Sequence, residues 1–318
     1  GCLVSSQRLA MKSLRYHFDR LILWYLGGIF AITFVGSYFG LIYLLAALAH
    51  LVMIFMVLRI TGVSSRTGPR AWLRWFYPLL LMLPLHYEIE LIGTVFHGGV
   101  IYDDVVKVWD RWLFGGHPHR YLADQLPGPW WREFFHLMYL NYFAIIIGGY
   151  LYAWRRGQVP EKQGGKNVPP DFPRYAFVFL GTFLTYMLIF ILFPVIGPLD
   201  DRFLRFEGYG LLGPLIDLLY AAGDSAGGAF PSSHIGEAVV IYLLLRPRSQ
   251  AIRAISITLI LGLTVSTVYG SFHYAIDAVA GLLTGPLFYF FWNWFYRRLS
   301  KEPAANKEAS GSLVQSEA

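Results

Sequence analysis

The sequence predicts an all-α protein, a bundle of helices embedded in a membrane. Composition is the first observation: 56% of the 318 residues are hydrophobic and 14% are charged. In soluble domains roughly a quarter of all residues are charged. The second is a mean hydropathy of +0.47. The third is that the apolar residues collect in eight segments, most of them near the ~20 residues that a helix needs to cross a bilayer.

The eight segments predict about eight spans, of which the first two form an N-terminal hairpin and the other six a catalytic core. A tight turn at 36–40 joins the first two, and the sixth is short, so it is expected to be tilted or partly sunk in the protein. The segments run near 21–38, 41–58, 76–96, 137–154, 175–196, 234–246, 254–270 and 275–296. The predicted organisation is a cytoplasmic segment 1–20, a membrane domain 21–298 with a core over about 76–298, and a polar, disordered tail 299–318.

The basic residues indicate the topology. Of the 26 Lys and Arg residues, 20 fall on one side of the predicted spans and six on the other. Such a bias marks the cytoplasmic side and places both termini there. The segments 97–136 and 197–233 are therefore expected on the opposite side. The first is aromatic and amphipathic, so we expect one or two helices in the membrane interface.

The charge pattern argues against a nucleic-acid partner. The formal net charge is +6, but the basic residues lie at the ends of apolar segments, as topology requires. Cys2 is the single cysteine, which excludes an internal disulfide. Membrane lipids are the expected surroundings, and the sequence indicates no oligomeric state.

The first motif is GAFPSSH at 228–234, at the start of the sixth segment. Pro231 and the following serines suit the first turn of a helix, and the free amides of a helix start attract phosphate. Ser232 and Ser233 add hydroxyl donors, and His234 would lie beside the anion. Glu237, three residues on, is expected to share its face and keep His234 protonated as an acid.

The second motif is STVYGSFHYAID at 266–277, which topology brings to the same side. His273 and Asp277 are four residues apart and share a face on a helix. A carboxylate on one ring nitrogen fixes the tautomer and leaves the other nitrogen free to attack phosphorus. A second histidine can protonate the leaving oxygen and then activate water. A lone histidine, serine pair or His-x-x-x-Asp pair is weak; together they indicate phosphoryl transfer.

These motifs resemble those of the type 2 phosphatidic acid phosphatase superfamily, which run KxxxxxxRP, PSGH and SRxxxxxHxxxD. Here Ser233 replaces the glycine and Thr267 the arginine, and the first motif has no clear counterpart. The stretch FPVIGP at 193–198 stands where that motif would begin, and Arg202 is the nearest arginine. The departures, together with DRWLFGGHP at 110–118, are similar to the aureobasidin-sensitive inositol phosphorylceramide synthase branch and its bacterial relatives.

The resemblance covers roughly 100–295 and implies a role for each matching residue. It implies that His273 is the nucleophile, His234 the acid and base and Asp277 the residue that orients His273. Ser232 is implied to contact phosphate, and Ser233, Ser266 and Arg202 are further phosphate-binding candidates. The family's chemistry implies no cofactor and no metal. Residues of a possible substrate pocket are Tyr269, Tyr274, Glu237 and Asp224.

Three other groups of polar residues allow two interpretations each. His86, Glu88 and Glu90 lie in the third segment, where buried charge is costly and suggests a role in a headgroup pocket, unless the span ends early and they face water or partner side chains. For the second group a polar interfacial loop is favoured over a metal site; its members are Asp103, Asp104, Asp110, His117 and His119. The third group is expected to be solvated loop carboxylates, although Asp224 is close enough to the first motif to touch substrate; its members are Asp200, Asp201, Asp217 and Asp224.

The favoured function is hydrolysis of a lipid phosphate or pyrophosphate through a phosphohistidine, on the non-cytoplasmic side of a bacterial inner membrane. If a lipid alcohol such as ceramide resolves the intermediate, the enzyme is instead a phosphotransferase that moves a headgroup such as phosphoinositol. A transporter without chemistry is the alternative of another class. Internal inverted repeats would favour it, and none is evident in the sequence.

Overall fold

The all-α prediction is confirmed. The computed structural model describes residues 16–62, 69–157, 172–206, 208, 210–223 and 227–314. Over these residues there is no strand, and one isolated bridge joins Val195 to Gly228. The described helices are α1 (His17–Gly36), α2 (Leu41–Thr61), α3 (Pro69–Tyr87), α4 (Ile89–His97), α5 (Asp103–Phe114), α6 (Pro118–Gln125), α7 (Pro129–Gly157), α8 (Phe172–Leu192), α9 (Leu199–Phe206), α10 (Gly213–Gly223), α11 (Ser233–Leu245), α12 (Gln250–Tyr269) and α13 (Ala275–Val314).

Six of the described helices are long and apolar enough to cross a membrane, namely α1, α2, α7, α8, α12 and α13 over Ala275–Ser300. A seventh span is possible if α3 and α4 count as one, although they meet at an angle of 48°. The predicted sixth span is α11, whose 13 residues make a rod of about 20 Å. That is shorter than a hydrocarbon core of about 30 Å, as expected for the short sixth segment, so six or seven of the about eight predicted spans have the length and composition of a full crossing.

The centre of the bundle is α8, 78% of whose apolar window is buried inside the protein. The buried side chains of α8 include aromatic residues such as Phe177, Phe179 and Phe190. By contrast, only 17% of the α2 window is buried. Because α2 is apolar on all sides and packs on few neighbours, most of its surface is left to face lipid.

Glycines let α11 and α13 cross closely. A Cβ atom at Gly281 would lie 2.5 Å from the carbonyl oxygen of Ser232, and one at Gly285 would lie 2.8 Å from that of Gly236. Small residues are the usual means by which membrane helices approach one another. The contact brings the start of α11 against the start of α13, where the two predicted motifs lie.

Two buried ionic contacts attach the N-terminal hairpin. Asp19 of α1 accepts hydrogen bonds from Arg74 and Tyr77 of α3, both at 2.6 Å. In α2, His50 Nε2 lies 3.0 Å from Glu88 Oε2, at the break between α3 and α4. Of the two readings for Glu88, partnership with another side chain is the one observed. Glu90 is exposed in α4.

The domain boundaries drawn from sequence stay predictions. Residues 1–15 of the N-terminal segment lie outside the described residues. Helix α13 extends to Val314 and so includes much of the segment for which disorder is predicted. Residues 315–318 and the side chains beyond Ser300 lie outside the described part of the chain.

We expect Asp19→Ala to destabilise the fold, because it leaves the buried Arg74 guanidinium without its carboxylate. Removing one partner of a buried ion pair costs about 3–5 kcal/mol. Thermal unfolding of the detergent-solubilised protein measures the change. Asp104→Ala is the matched control, because the Asp104 side chain is 98% exposed in its pair with Lys107 and such pairs contribute little. Equal unfolding temperatures for the two variants would contradict this account.

Candidate active site

The two predicted histidines meet. His234 lies in the first turn of α11 and His273 in the short loop between α12 and α13. Their ring centroids are 5.6 Å apart, and the ring planes are inclined by 69°. One group placed between them is therefore within reach of both rings.

Backbone hydrogen bonds fix the loop that carries His273. The amides of Phe272 and His273 both donate to the carbonyl of Thr267, each at 3.0 Å. The amide of Ser232 donates to the carbonyl of Asp277, also at 3.0 Å, so the two motifs are bonded directly to each other. Thr267, which replaces the family's arginine, acts here through its backbone oxygen.

His273 is buried, with 3% of its surface exposed, and both ring nitrogens face polar side chains. Nε2 lies 3.1 Å from Ser232 Oγ. Nδ1 lies 3.5 Å from Asp277 Oδ2, which is long for a hydrogen bond, although such contacts often tighten when substrate binds. The same carboxylate oxygen accepts a bond of 2.8 Å from the amide of Tyr274. With Asp277 on Nδ1, Nε2 is the ring nitrogen that faces away from the carboxylate, beside Ser232.

His234 is held by two tyrosines of α7 that the sequence analysis did not identify. Tyr139 Oη lies 3.3 Å from His234 Nε2, and the ring of Tyr142 is centred 4.3 Å from the His234 ring. They are three residues apart and therefore share a helix face. That spacing was the available signal, but it is common in any apolar, aromatic helix.

Glu237 has a different partner from the one expected. Its Oε2 accepts a hydrogen bond of 3.0 Å from Tyr142 Oη, and no hydrogen bond joins it to His234 in the described structure. Because Tyr142 also packs on His234, the carboxylate reaches the histidine only through the tyrosine. The expected direct contact between Glu237 and His234 is therefore not found among the described residues.

The candidate phosphate ligands differ in where they point. Ser232 faces His273, and the next residue, Ser233, is also buried. Ser266 Oγ donates to the carbonyl of Leu263 at 2.7 Å, so its proton is directed into its own helix. Arg202 is buried, bonds Asp217 Oδ1 at 2.7 Å and stacks 4.4 Å above the ring of Phe272, the residue before His273.

The predicted pocket tyrosines tie the site to its surroundings. Tyr269 Oη donates to the carbonyl of Leu126 at 2.7 Å, which directs it towards the connection between α6 and α7. Tyr274 Oη donates to Asp103 Oδ1 at 3.2 Å. Asp224, the fourth pocket candidate, lies outside the described residues. His86 approaches the first motif, where a Cβ on Gly228 would lie 3.3 Å from its Nε2.

The residues considered for a metal do come together. One ligand atom from each of Asp110, His117 and His119 lies within 4.8 Å of the others. However, Arg111 Nε donates to His117 Nε2 at 3.2 Å, which places a cation against the cluster. Asp110 Oδ1 also accepts a bond of 3.0 Å from the amide of Ile276. The favoured reading of an interfacial polar cluster fits these contacts better than a metal centre does.

Of the predicted solvated carboxylates, Asp200 is exposed, whereas Asp201 and Asp217 are paired with arginines. Asp103 accepts the amides of Ile196 and Gly197 at 2.8 and 2.9 Å. Asp201 accepts Arg120 Nε at 2.8 Å and lies 3.0 Å from His119 Nε2. Although burial opposes it, these two bonds lower the pKa of Asp201. Burial also lowers the pKa of His119 and raises that of Asp110.

Comparison with known proteins assigns a family to this arrangement. The PAP2 superfamily profile matches residues 106–291, more than half of the chain, which includes both histidine motifs. A PA-phosphatase related-family protein of Dictyostelium discoideum is 26% identical over 163 residues, 46% of this chain and 30% of the relative. This chain thus spans less than a third of that relative's length. No solved structure matches the chain.

We expect Tyr139→Phe to lower turnover about tenfold without a comparable loss of stability. The hydroxyl holds the His234 ring, and a hydrogen bond to a group that becomes charged is worth about 1.5 kcal/mol. Tyr142→Phe removes the same atom from the same helix face. It should chiefly lower the unfolding temperature, because the buried Glu237 carboxylate loses its hydrogen-bond donor. Turnover and thermal unfolding of both variants test this, and equal turnover in the two would contradict it.

Proposed function

The chain belongs to the PAP2 superfamily, which points to phosphatase-type or phosphotransferase-type chemistry, and we propose that it is a membrane-embedded lipid phosphatase. It would remove phosphate from a lipid phosphate or pyrophosphate through a phosphohistidine intermediate. The observation that carries this proposal is the placement of His273, with Asp277 on Nδ1, Ser232 on Nε2 and His234 opposite.

The first half of the reaction follows from this geometry. Nε2 of His273 attacks phosphorus as the bond between phosphorus and the lipid oxygen breaks. His234 donates a proton to the departing lipid oxygen. Asp277 stabilises the ring as it gains positive charge, because its carboxylate faces the nitrogen that keeps its proton. Ser232 Oγ, which contacts Nε2, turns towards the phosphoryl oxygens when substrate binds.

Water completes the reaction. His234, now without its proton, accepts one from a water molecule that attacks phosphorus, and the bond from phosphorus to Nε2 breaks. Phosphate leaves, and both histidines return to their starting states. The amides that open α11 supply donors for the phosphoryl oxygens, since the first turn of a helix has no internal acceptors for them. Arg202, which stacks on Phe272, contributes positive charge that stabilises the negatively charged phosphate.

We place the site on the non-cytoplasmic side, with both termini in the cytoplasm. The distribution of Lys and Arg supports this orientation. The short α11 fits it, because about 20 Å of helix leads from the site to the basic residues Arg246 and Arg248. The site would then be sunk below the membrane surface, within reach of a lipid headgroup. A bacterial inner membrane is the proposed location.

Transfer of the phosphoryl-linked headgroup to a lipid alcohol is the second candidate. Its support is the resemblance of the HYAID segment at 273–277 to the inositol phosphorylceramide synthase branch. The same phosphohistidine chemistry serves both outcomes, and the acceptor in the second step distinguishes them. A transporter without chemistry would not need His273 at all.

The test is phosphate release by the purified protein and its His273→Ala variant from phosphatidic acid and from isoprenyl pyrophosphate. We expect release by the wild type and a loss of at least a thousandfold in the variant, as for other nucleophile deletions. Release that persists in His273→Ala would contradict the assigned nucleophile. No release from either protein, followed by product formation once ceramide and a phosphoinositol donor are added, would favour transfer.

Asp277→Asn gives a sharper test of the same site. The amide keeps the shape but can place an N–H against Nδ1, which favours the wrong tautomer of His273 and should lower turnover by orders of magnitude. Asp104→Asn is the control, as this side chain is 98% exposed. Quenching in alkaline SDS, in which phosphohistidine is stable, during turnover of labelled substrate should trap phosphate on the wild type and not on His273→Ala. An unchanged rate in Asp277→Asn would contradict its orienting role.

A further inference from the structure

A polar pocket lies outside the catalytic histidines, on the other side of Tyr274. It has a volume of about 450 Å³, within the range of ligand sites, and opens between α5, α6 and the turn at 196–201. We call it the α5–α6 pocket. The side chains that supply positive charge or hydrogen-bond donors to it are Lys107, Arg111, His117, His119 and Arg120.

The carboxylates of this pocket are largely occupied. Asp103 is bound by two backbone amides and Tyr274. Asp201 is bound by Arg120 and His119. Asp200 is exposed. Within the described residues, no carboxylate forms an ion pair with Arg111. Lys107 is paired only with the almost fully exposed Asp104, a kind of contact worth little. Two cationic side chains are thus available to a ligand.

The tautomer of His117 adds a donor. An arginine can only donate, so the bond from Arg111 Nε to His117 Nε2 means that Nε2 carries no proton. The neutral ring then has its proton on Nδ1, and that atom is buried without a hydrogen-bond partner in the described structure. Burial and the nearby Arg111 and Arg120 lower the pKa of His117, which favours the neutral ring.

This combination of cationic groups and an imidazole N–H disfavours binding of a cation and favours binding of an anion. A metal would need a lone pair on His117, but Nδ1 holds the proton and Nε2 faces a guanidinium. A guanidinium, an ammonium and an imidazole N–H are instead the donors that bind phosphate oxygens. We propose that the α5–α6 pocket binds a phosphate-class anion, either a lipid headgroup or free phosphate, as a site separate from the catalytic one.

The pocket is connected to the catalytic segment. Tyr274, the residue after His273, lines the pocket and packs edge-on against His119 with ring centroids 5.7 Å apart. Next to the pocket, Asp110 holds the amide of Ile276 at the start of α13. An anion bound here would therefore rest against the same short segment that carries His273 and Asp277.

Binding of radiolabelled inorganic phosphate to the purified full-length protein, measured by equilibrium dialysis in neutral detergent, tests the proposal. We expect two phosphates per wild-type chain and one in Lys107→Gln/Arg111→Gln, or at least a tenfold weaker second site. Arg205→Gln, which also replaces an arginine by glutamine, is the control, because Arg205 pairs with Asp124 outside the pocket, and it should bind two. Wild-type binding by Lys107→Gln/Arg111→Gln would overturn the proposal.

Two further variants separate this site from the proposed catalytic function. Ser232→Ala/His273→Ala should lose the catalytic phosphate and keep the one in the pocket. If the proposed function is wrong, the wild type should bind a single phosphate that only the pocket variant loses. Arg111→Lys keeps the charge and should retain binding, which shows that any loss in the glutamine variant is not misfolding.

A competition experiment identifies the source of the anion. The protein is placed in nanodiscs of phosphatidylcholine, with or without phosphatidylglycerol. Displacement of the pocket phosphate by phosphatidylglycerol would assign the site to a lipid headgroup. Unchanged phosphate binding would assign it to free phosphate. Both results support a phosphate-class site, and absence of pocket-dependent phosphate binding already in the nanodiscs of phosphatidylcholine alone would overturn it.

Discussion

The close crossing of α11 and α13 is the constraint on which the candidate site depends. Gly281 and Gly285 leave room for the backbone of α11 to lie directly against α13, and the amide of Ser232 then reaches the carbonyl of Asp277. Any side chain at these glycines would push the helices apart. The hydroxyl of Ser232 would then separate from His273, because the two motifs come from different parts of the chain that this crossing holds together.

Polar groups within this apolar protein are arranged in cross-helix pairs. Asp19 with Arg74 joins α1 to α3, Tyr142 with Glu237 joins α7 to α11, and Asp110 with the Ile276 amide joins α5 to α13. A polar group buried without a partner is costly, so each pair restricts how its two helices pack. The two histidines are positioned in the same way, since His234 and His273 are oriented by partners from other helices or from the following turn.

Much of the fold was predictable, because hydropathy and helix length follow directly from composition along the chain. All eight apolar segments are helical, and the short sixth segment is the short helix α11. The site was less predictable. Tyr139 and Tyr142 resemble any aromatic pair on an apolar helix, and Ser266 resembles Ser232 in type, although its hydroxyl bonds its own helix. Nothing in a linear pattern distinguishes a side chain that faces a histidine from one that faces lipid.

The sequence by itself determined the class of protein, the helices and the two histidine motifs, because these depend on local composition and on spacing within one helix. Tertiary structure alone decided which partners the motifs receive. It brought Tyr139 beside His234, moved Glu237 onto Tyr142, stacked Arg202 on Phe272 and gathered Lys107, Arg111 and His117 around a pocket. Apart from the local group of Lys107, Arg111 and His117, these contacts join residues far apart in the chain, and the packing geometry of whole helices fixes them.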